Sequence, residues 1–183
     1  MYKRQFGPTK MALEIIMGSM YSGKSTELIR RMNRLKSIGM HCLIVNHTKD
    51  TRVGGDFVQT HDGQKINAVK TDDIILLNAK PYDAIAIDEA QFFTNLLPAV
   101  SVMLQHNKHV IVAGLTGDYR RQKFGEILDL IPMADDVTFT RALCQKCAHP
   151  YRPASFTKRM SNEKETISVE SKYIAVCRQC FDN

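Results

Sequence analysis

Short apolar runs alternate with amphipathic stretches along most of this chain. Residues 13–17, 41–46, 84–88 and 109–115 are brief, apolar and bounded by turn residues, the pattern of strands buried on both faces. Residues 24–36 read as a helix, with Leu28, Met32 and Leu35 on one stripe and Glu27 in register to pair with Arg31. Residues 72–79 and 96–105 are also helix-like. Alternation of this kind predicts an α/β chain with a parallel sheet flanked by helices. A last run, 137–143, is expected to be a strand leading out of that layer. Beyond it the texture changes: residues 144–183 carry four of the five cysteines, two prolines and little apolar periodicity. Residues 48–70 are polar, include Gly54-Gly55 and Asp62-Gly63, and show no helix. A long loop inside a compact domain is usually functional, so an ordered start at Lys49-Asp50-Thr51-Arg52 and a flexible middle are expected.

Between the first run and the first helix stands Gly18-Ser19-Met20-Tyr21-Ser22-Gly23-Lys24-Ser25, followed by Thr26, which matches the pattern G-x-x-x-x-G-K-[ST]. A loop that wraps its backbone N–H groups around phosphate needs glycines where a Cβ would collide. It also needs a lysine for the terminal phosphates and a hydroxyl for magnesium. The plain alternative, a Gly-Ser turn that contains a lysine, does not account for the strand before it and the helix after it, whose positive N-terminal end faces the anion. Asp88 and Glu89 close the run 84–88, so two carboxylates fall at the carboxyl end of a buried strand, the edge where open α/β sheets bind ligands. There one acid can hold magnesium with Ser25 and the next can orient or deprotonate a nucleophile. The competing reading makes them helix N-cap acids.

At 183 residues, with 44% hydrophobic and 24% charged positions, the chain can bury one good core plus a small appendage. No apolar run is long enough to span a bilayer, and residues 1–10 lack the apolar stretch of a secretory signal. A cytoplasmic location without a membrane partner is expected. The net charge of +6 suits a nucleic-acid binder and equally an enzyme that attracts phosphorylated small molecules. Arg30, Arg31, Arg34 and Lys36 read as the solvated face of the first helix.

Cys144-x-x-Cys147 and Cys177-x-x-Cys180, 29 residues apart, have the spacing of two knuckles that converge on one tetrahedral zinc. Disulfides are the competing reading, and they fit a reducing compartment poorly. With all four positions filled by protein, such a metal is structural. His149 is a substitute ligand only if a cysteine fails to bind. Cys42, alone in an apolar run, reads as a small buried hydrophobe. The knuckles pin the polar segment 152–173 at both ends, as a lid over a second substrate would need. The alternative use of such a unit is to grip nucleic acid through Lys158, Arg159 and Lys164.

Taken together, the phosphate loop through Leu28, Lys49-Asp-Thr-Arg52, Thr60-His-Asp62, Asp88-Glu-Ala-Gln-Phe-Phe93, Phe156-Thr-Lys-Arg159 and the two knuckles resemble the type II (zinc-containing) thymidine kinases, from about Ala12 to Cys180. The resemblance implies a P-loop (RecA-like) parallel sheet with a small C-terminal zinc-binding lasso domain. It divides the chain into an arm (1–11), a nucleotide-binding α/β domain (12–140) and a zinc-binding domain with a substrate-covering loop (141–183). It further implies transfer of the γ-phosphate of ATP to the 5′-hydroxyl of thymidine, with Glu89 as general base. ATP would contact Gly18, Ser19, Met20, Tyr21, Ser22, Gly23, Lys24, Ser25, Thr26, Arg52, Asp88 and Gln91, and magnesium Ser25 and Asp88. The base pocket would be drawn from Met20, Phe92, Leu115, Tyr119, Thr157, Ser168, Val169 and Tyr173, while Phe93 reads as core. A homotetramer, feedback inhibition by the thymidine triphosphate and no nucleic-acid partner are also implied. The chain departs from the family at Leu115-Thr-Gly-Asp-Tyr119, where the acid has moved and tyrosine replaces phenylalanine. It also lacks the Gly-Gly pair usual before Tyr173.

Overall fold

A computed structural model describes residues 11–50, 57–59, 65–147, 149–160 and 173–182. Thr51, Arg52, Thr60, His61, Asp62, Lys164, Ser168 and Val169 lie outside the described residues. The chain opens with β1 (Ala12–Gly18), whose side chains alternate between two layers: Leu13, Ile15 and Met17 join one buried cluster and Ile16 the other. Helix α1 (Lys24–Ser37) lays Leu28, Ile29 and Met32 on the second cluster, with Leu35 partly buried beside them. β2 (Cys42–His47), a hairpin of β3 (Phe57–Gln59) and β4 (Lys65–Asn67), and the short β5 (Val69–Thr71) follow. β6 (Ala84–Ile87), α2 (Leu96–Gln105), β7 (His109–Leu115) and β8 (Asp136–Thr140) complete the main layer.

The sheet runs β5-β2-β6-β7-β1-β8 and is parallel throughout. Its central strands are covered on both faces, by α1 on one and by α2 on the other. That is why the runs are continuously apolar rather than alternating. β7 lies between β1 and β6, so the phosphate-loop strand and the acid-bearing strand stand about 10 Å apart with their carboxyl ends on one edge.

After β8 the chain leaves this sheet at Arg141. β9 (Ala142–Leu143) pairs with β10 (Pro153–Ala154), and β11 (Phe156–Arg159) pairs antiparallel with β12 (Tyr173–Val176), which leads into the short α3 (Arg178–Asp182). A third, small cluster of Ala142, Ala154, Ala175 and Val176 packs around Cys144 and Cys177.

Three sequence expectations need correction. Residues 72–79 are turns, not a helix: Asp73 Oδ1 accepts from the Ile75 N–H, and Thr71 Oγ1 accepts from the Asp73 N–H, local bonds that compete with helical ones. The run 137–143 is two strands in different sheets, divided at Arg141. Residues 48–70, expected as one long loop, contain the β3–β4 hairpin and β5, and most of the expected flexible middle lies outside the described residues. The helix over 96–105 stands as expected. Among the described residues no helix is long and apolar enough to cross a membrane.

Candidate active site and metal centre

The turn from β1 into α1 is built from backbone conformations that a sheet or helix cannot supply. Tyr21 (φ 62°) and Gly23 (φ 80°) are left-handed, and Gly23 takes the cap position of α1 without a side-chain cap bond. The first helical N–H groups therefore have no side-chain acceptor in the cap and face the loop. Lys24 is buried and its Nζ donates to the Ser19 carbonyl at 2.8 Å, so its cation folds back over the loop. Ser22 Oγ donates to the Ser19 carbonyl at 2.8 Å and lies 2.8 Å from Thr140 Oγ1, which in turn reaches the Met17 carbonyl at 3.2 Å. Thr140, not anticipated from the sequence, thus ties the loop to β8. Ser25 is half-buried and Thr26 exposed in the first turn of α1.

At the same edge Asp88 and Glu89 are both buried. Glu89 adopts φ 50°, a conformation rare outside glycine and one that clusters at functional sites. Its N–H donates to Asp88 Oδ1 at 3.0 Å, and its side chain makes no cap bond to the 3-10 turn Ala90–Phe92 that follows, which removes the N-cap reading for Glu89. Gln91, also buried, donates from Nε2 to Glu89 Oε2 at 2.6 Å and accepts the Leu115 N–H on Oε1 at 3.0 Å. One amide therefore fixes the carboxylate against the end of β7.

Beside them, on the end of β2, His47 packs against both phenylalanines, 5.7 Å from Phe92 and 4.7 Å from Phe93. Burial, with the Lys49 charge nearby, lowers its pKa. Its Nδ1 accepts the Lys49 N–H at 3.0 Å, which places the ring proton on Nε2. Phe93 is core at 1% exposed, whereas Phe92 is only half-buried and meets Phe124 edge-on at 5.6 Å. The sequence missed His47 and Phe124, although His47 directly follows an apolar run at the ligand-binding edge. Asp50, buried, accepts from Asn46 Nδ2 at 2.8 Å, and its carbonyl accepts from Lys70 Nζ at 3.0 Å.

The β11–β12 hairpin has two different faces, because side chains alternate along a strand. Thr157 and Arg159 share one face with Tyr173, which is registered opposite Arg159. Thr157 Oγ1 accepts the Met20 N–H at 3.0 Å, and the Arg159 guanidinium lies 3.8 Å from the Tyr119 ring centre. The phosphate loop also reaches this unit through Ser19 Oγ, which donates to the Ala154 carbonyl at 3.0 Å. Phe156 and Lys158 take the opposite face: Phe156 meets Phe181 at 5.6 Å, and Lys158 Nζ donates to the carbonyls of Cys180 and Phe181. Lys158 and Arg159 thus both make contacts within the protein.

The sulfurs of Cys144, Cys147, Cys177 and Cys180 all lie within 4.8 Å of one another, and all four are free thiols. Cys147 Sγ is 3.8 Å from Cys177 Sγ and 3.6 Å from Cys180 Sγ. Four thiolates about 2.3 Å from one tetrahedral ion stand roughly 3.8 Å apart, so the cluster fits a metal and not a pair of disulfides. Burial works against the Cys144 thiolate, but the backbone amides of Cys177, Lys146 and Cys147 outweigh it and bring that thiol down to about 6. The knuckle is anchored by the Cys144 N–H to the Arg152 carbonyl and the Gln145 N–H to the Ala175 carbonyl. His149 is outside the cluster and rests edge-on against Tyr151 at 4.8 Å. Cys42 is half-buried at the edge of the α1 layer.

A parallel sheet, a glycine-bounded loop opening onto a helix, and an acid pair one strand away define an α/β protein of the phosphate-loop class carrying a four-cysteine metal-binding unit. Residues 11–181 match the thymidine kinase family model, and the chain belongs to that family. It is 42% identical over 174 residues to a thymidine kinase of Myxoma virus (strain Uriarra), covering 92% of this chain and 95% of the relative. It is 39% identical over 180 residues to the cytosolic thymidine kinase of Homo sapiens, covering 94% and 74%. It is 38% identical over 176 residues to a thymidine kinase of Sheeppox virus (strain KS-1), covering 92% and 96%.

Proposed function

We propose that this chain transfers the γ-phosphate of magnesium-ATP to the 5′-hydroxyl of thymidine, and of deoxyuridine, in cytoplasmic salvage for DNA synthesis. The observation that carries the reading is Glu89: a buried carboxylate in a left-handed backbone conformation, held by Gln91, on the sheet edge shared with the phosphate loop. A group fixed in that way is suited to accept the proton of an attacking hydroxyl. The loop from Gly18 to Ser25, with Thr26, cradles the triphosphate through backbone N–H groups and Lys24, and Arg52 adds a further phosphate contact. Ser25 and Asp88 would hold magnesium, which would supply charge neutralisation on the phosphates.

The nucleoside lies between the loop and the hairpin, against Met20, Phe92, Leu115, Tyr119, Thr157 and Tyr173, with backbone groups around Ser168 and Val169 reading the pyrimidine edge. Gln91 acts through Glu89 and Leu115 as a positioning residue. Zinc is the metal of the four cysteines, because a soft, closed tetrahedral donor set selects it over magnesium or calcium. Residues 12–140 form the nucleotide-binding unit and 141–183 the zinc-bearing one. Family membership supports a homotetramer inhibited by the thymidine triphosphate.

The test is to mix protein, magnesium-ATP and a nucleoside panel and to follow monophosphate formation. Phosphorylation of thymidine or deoxyuridine that falls about a hundredfold or more in Glu89→Gln, with ATP binding retained, supports the reading. ATP turnover stimulated by DNA and by no nucleoside overturns it.

A further inference from the structure

We infer that Arg159 is a positioning residue that latches the loop after β7 to the β11–β12 hairpin and thereby sets the wall of the nucleoside site. This rests on the thymidine kinase reading above. Arg159 contacts two tyrosines that come from distant parts of the chain. Its guanidinium carbon is 3.8 Å from the Tyr119 ring centre and 5.4 Å from that of Tyr173, and its Nη2 donates to the Tyr173 hydroxyl at 2.8 Å. A flat cation stacked on one ring and hydrogen-bonded to the other fixes both at once, which the point charge of lysine cannot do.

The surroundings fit a latch better than a surface contact. Tyr119 and Arg159 are both partly buried, and the Tyr119 hydroxyl accepts from Arg120 Nε at 2.8 Å, so the ring is held from two sides. Arg120 also stacks on that ring at 5.0 Å. The Arg120 hydrogen bond depends on the Tyr119 hydroxyl, which a phenylalanine would lack. Thr157, two residues before Arg159 on the same face, already binds the phosphate loop at Met20. One face of the hairpin therefore fastens to the loop through Thr157 and to the β7 loop through Arg159, the two attachments between which the proposed function puts the nucleoside.

A latch of this kind has its own kinetic signature. Arg159→Met is expected to raise the KM for thymidine about tenfold while kcat and the KM for ATP stay within about threefold, and Arg159→Lys is expected to fall between Met and the parent. Tyr119→Leu should raise the thymidine KM similarly. The double variant should be less impaired than the product of the two single effects, because both remove the Arg159–Tyr119 contact. If the effects of Arg159→Met and Tyr119→Leu simply multiply, the pair is not a latch. If Arg159→Met leaves the thymidine KM unchanged, or lowers ATP affinity and metal content together with it, Arg159 has no positioning role or only a general structural one. Absence of nucleoside phosphorylation by the unmodified protein would instead remove the kinase reading itself. That outcome is distinct from an active parent whose Arg159 variants behave like it.

Discussion

The Met20 N–H donates to Thr157 Oγ1 at 3.0 Å, joining two residues 137 positions apart. Met20 belongs to the phosphate loop and Thr157 to the hairpin of the cysteine-bearing unit, so the two halves of the proposed active site are fastened directly to each other. Thr157→Val removes the acceptor while keeping the shape, and leaves a partly buried N–H without it. A net loss of about 1 kcal/mol at this seam corresponds to a roughly fivefold rise in the KM for thymidine, and Thr157→Ser should restore most of it. Steady-state kinetics with thymidine varied at saturating ATP checks this. An unchanged KM in the valine variant would mean the bond does not shape the nucleoside site.

Gly125 guards the carboxylate from behind. It adopts φ +66°, and a Cβ there would fall 2.3 Å from the Gln91 carbonyl oxygen, contact that only movement of the backbone can relieve. Gln91 is the residue that holds Glu89 and caps the Leu115 N–H. Gly125→Ala is therefore expected to lower kcat between about ten- and a hundredfold by misplacing Glu89, with ATP affinity retained. Nucleotide titration alongside turnover separates the two. Loss of ATP binding in proportion to kcat would point to general unfolding instead.

Much of this arrangement was legible in the sequence, because the chemistry is local. The phosphate loop, the Asp88–Glu89 pair and the paired cysteine knuckles each declare themselves within eight residues or fewer, and the buried strands show as apolar runs. Contacts made across the fold left no such trace. Gln91 is buried and holds Glu89, a contact visible only once β7 brings Leu115 beside it. Thr140 and His47 act through partners in other strands. The sequence pattern puts Arg31 on a solvated helix face, but its side chain is only 14% exposed and bonds Glu14, Glu27, Asp136 and Thr138. Over 72–79 the apolar spacing of Ile74, Ile75 and Leu77 mimics a helix, while Asp73 and Thr71 satisfy the backbone locally as turns.

The Arg31 network makes stability depend on acid. Hydrogen bonds from Arg30, and then from Arg31, bring the Glu27 carboxyl down to about 2 against the opposing effect of burial. Glu14 is lowered by His109 and Arg31. A carboxyl whose folded value is depressed contributes stability above its unfolded value of about 4.5, and that contribution disappears as pH falls from there toward 2. Arg31→Met should destabilise the protein by about 2 kcal/mol at pH 7, since it leaves partly buried Glu14 with His109 alone and Glu27 with Arg30 alone. The gap should narrow at pH 3, where the variant's carboxylates are protonated. Denaturant unfolding at the two pH values tests it, and an equal gap at both would show that Arg31 acts by packing alone.

Removing the metal should loosen the nucleoside side of the site before the ATP side. The hairpin that carries Thr157, Arg159 and Tyr173 is held by a small cluster of which Cys144 and Cys177 are part, whereas the phosphate loop is rooted in a six-stranded sheet with two extensive buried layers. A small unit of this kind has too little apolar core to fold alone and takes its stability from metal binding. About one zinc per chain is expected by elemental analysis. A strong chelator should lower the melting temperature and raise the KM for thymidine at concentrations where ATP binding still persists, and added zinc should reverse both. Cys180→Ser, which leaves three thiolates, should reproduce the chelated protein in milder form. A chain that keeps its melting temperature and its thymidine KM in excess chelator, with zinc shown to be gone, would require the four cysteines to be held by the surrounding backbone instead of by a metal.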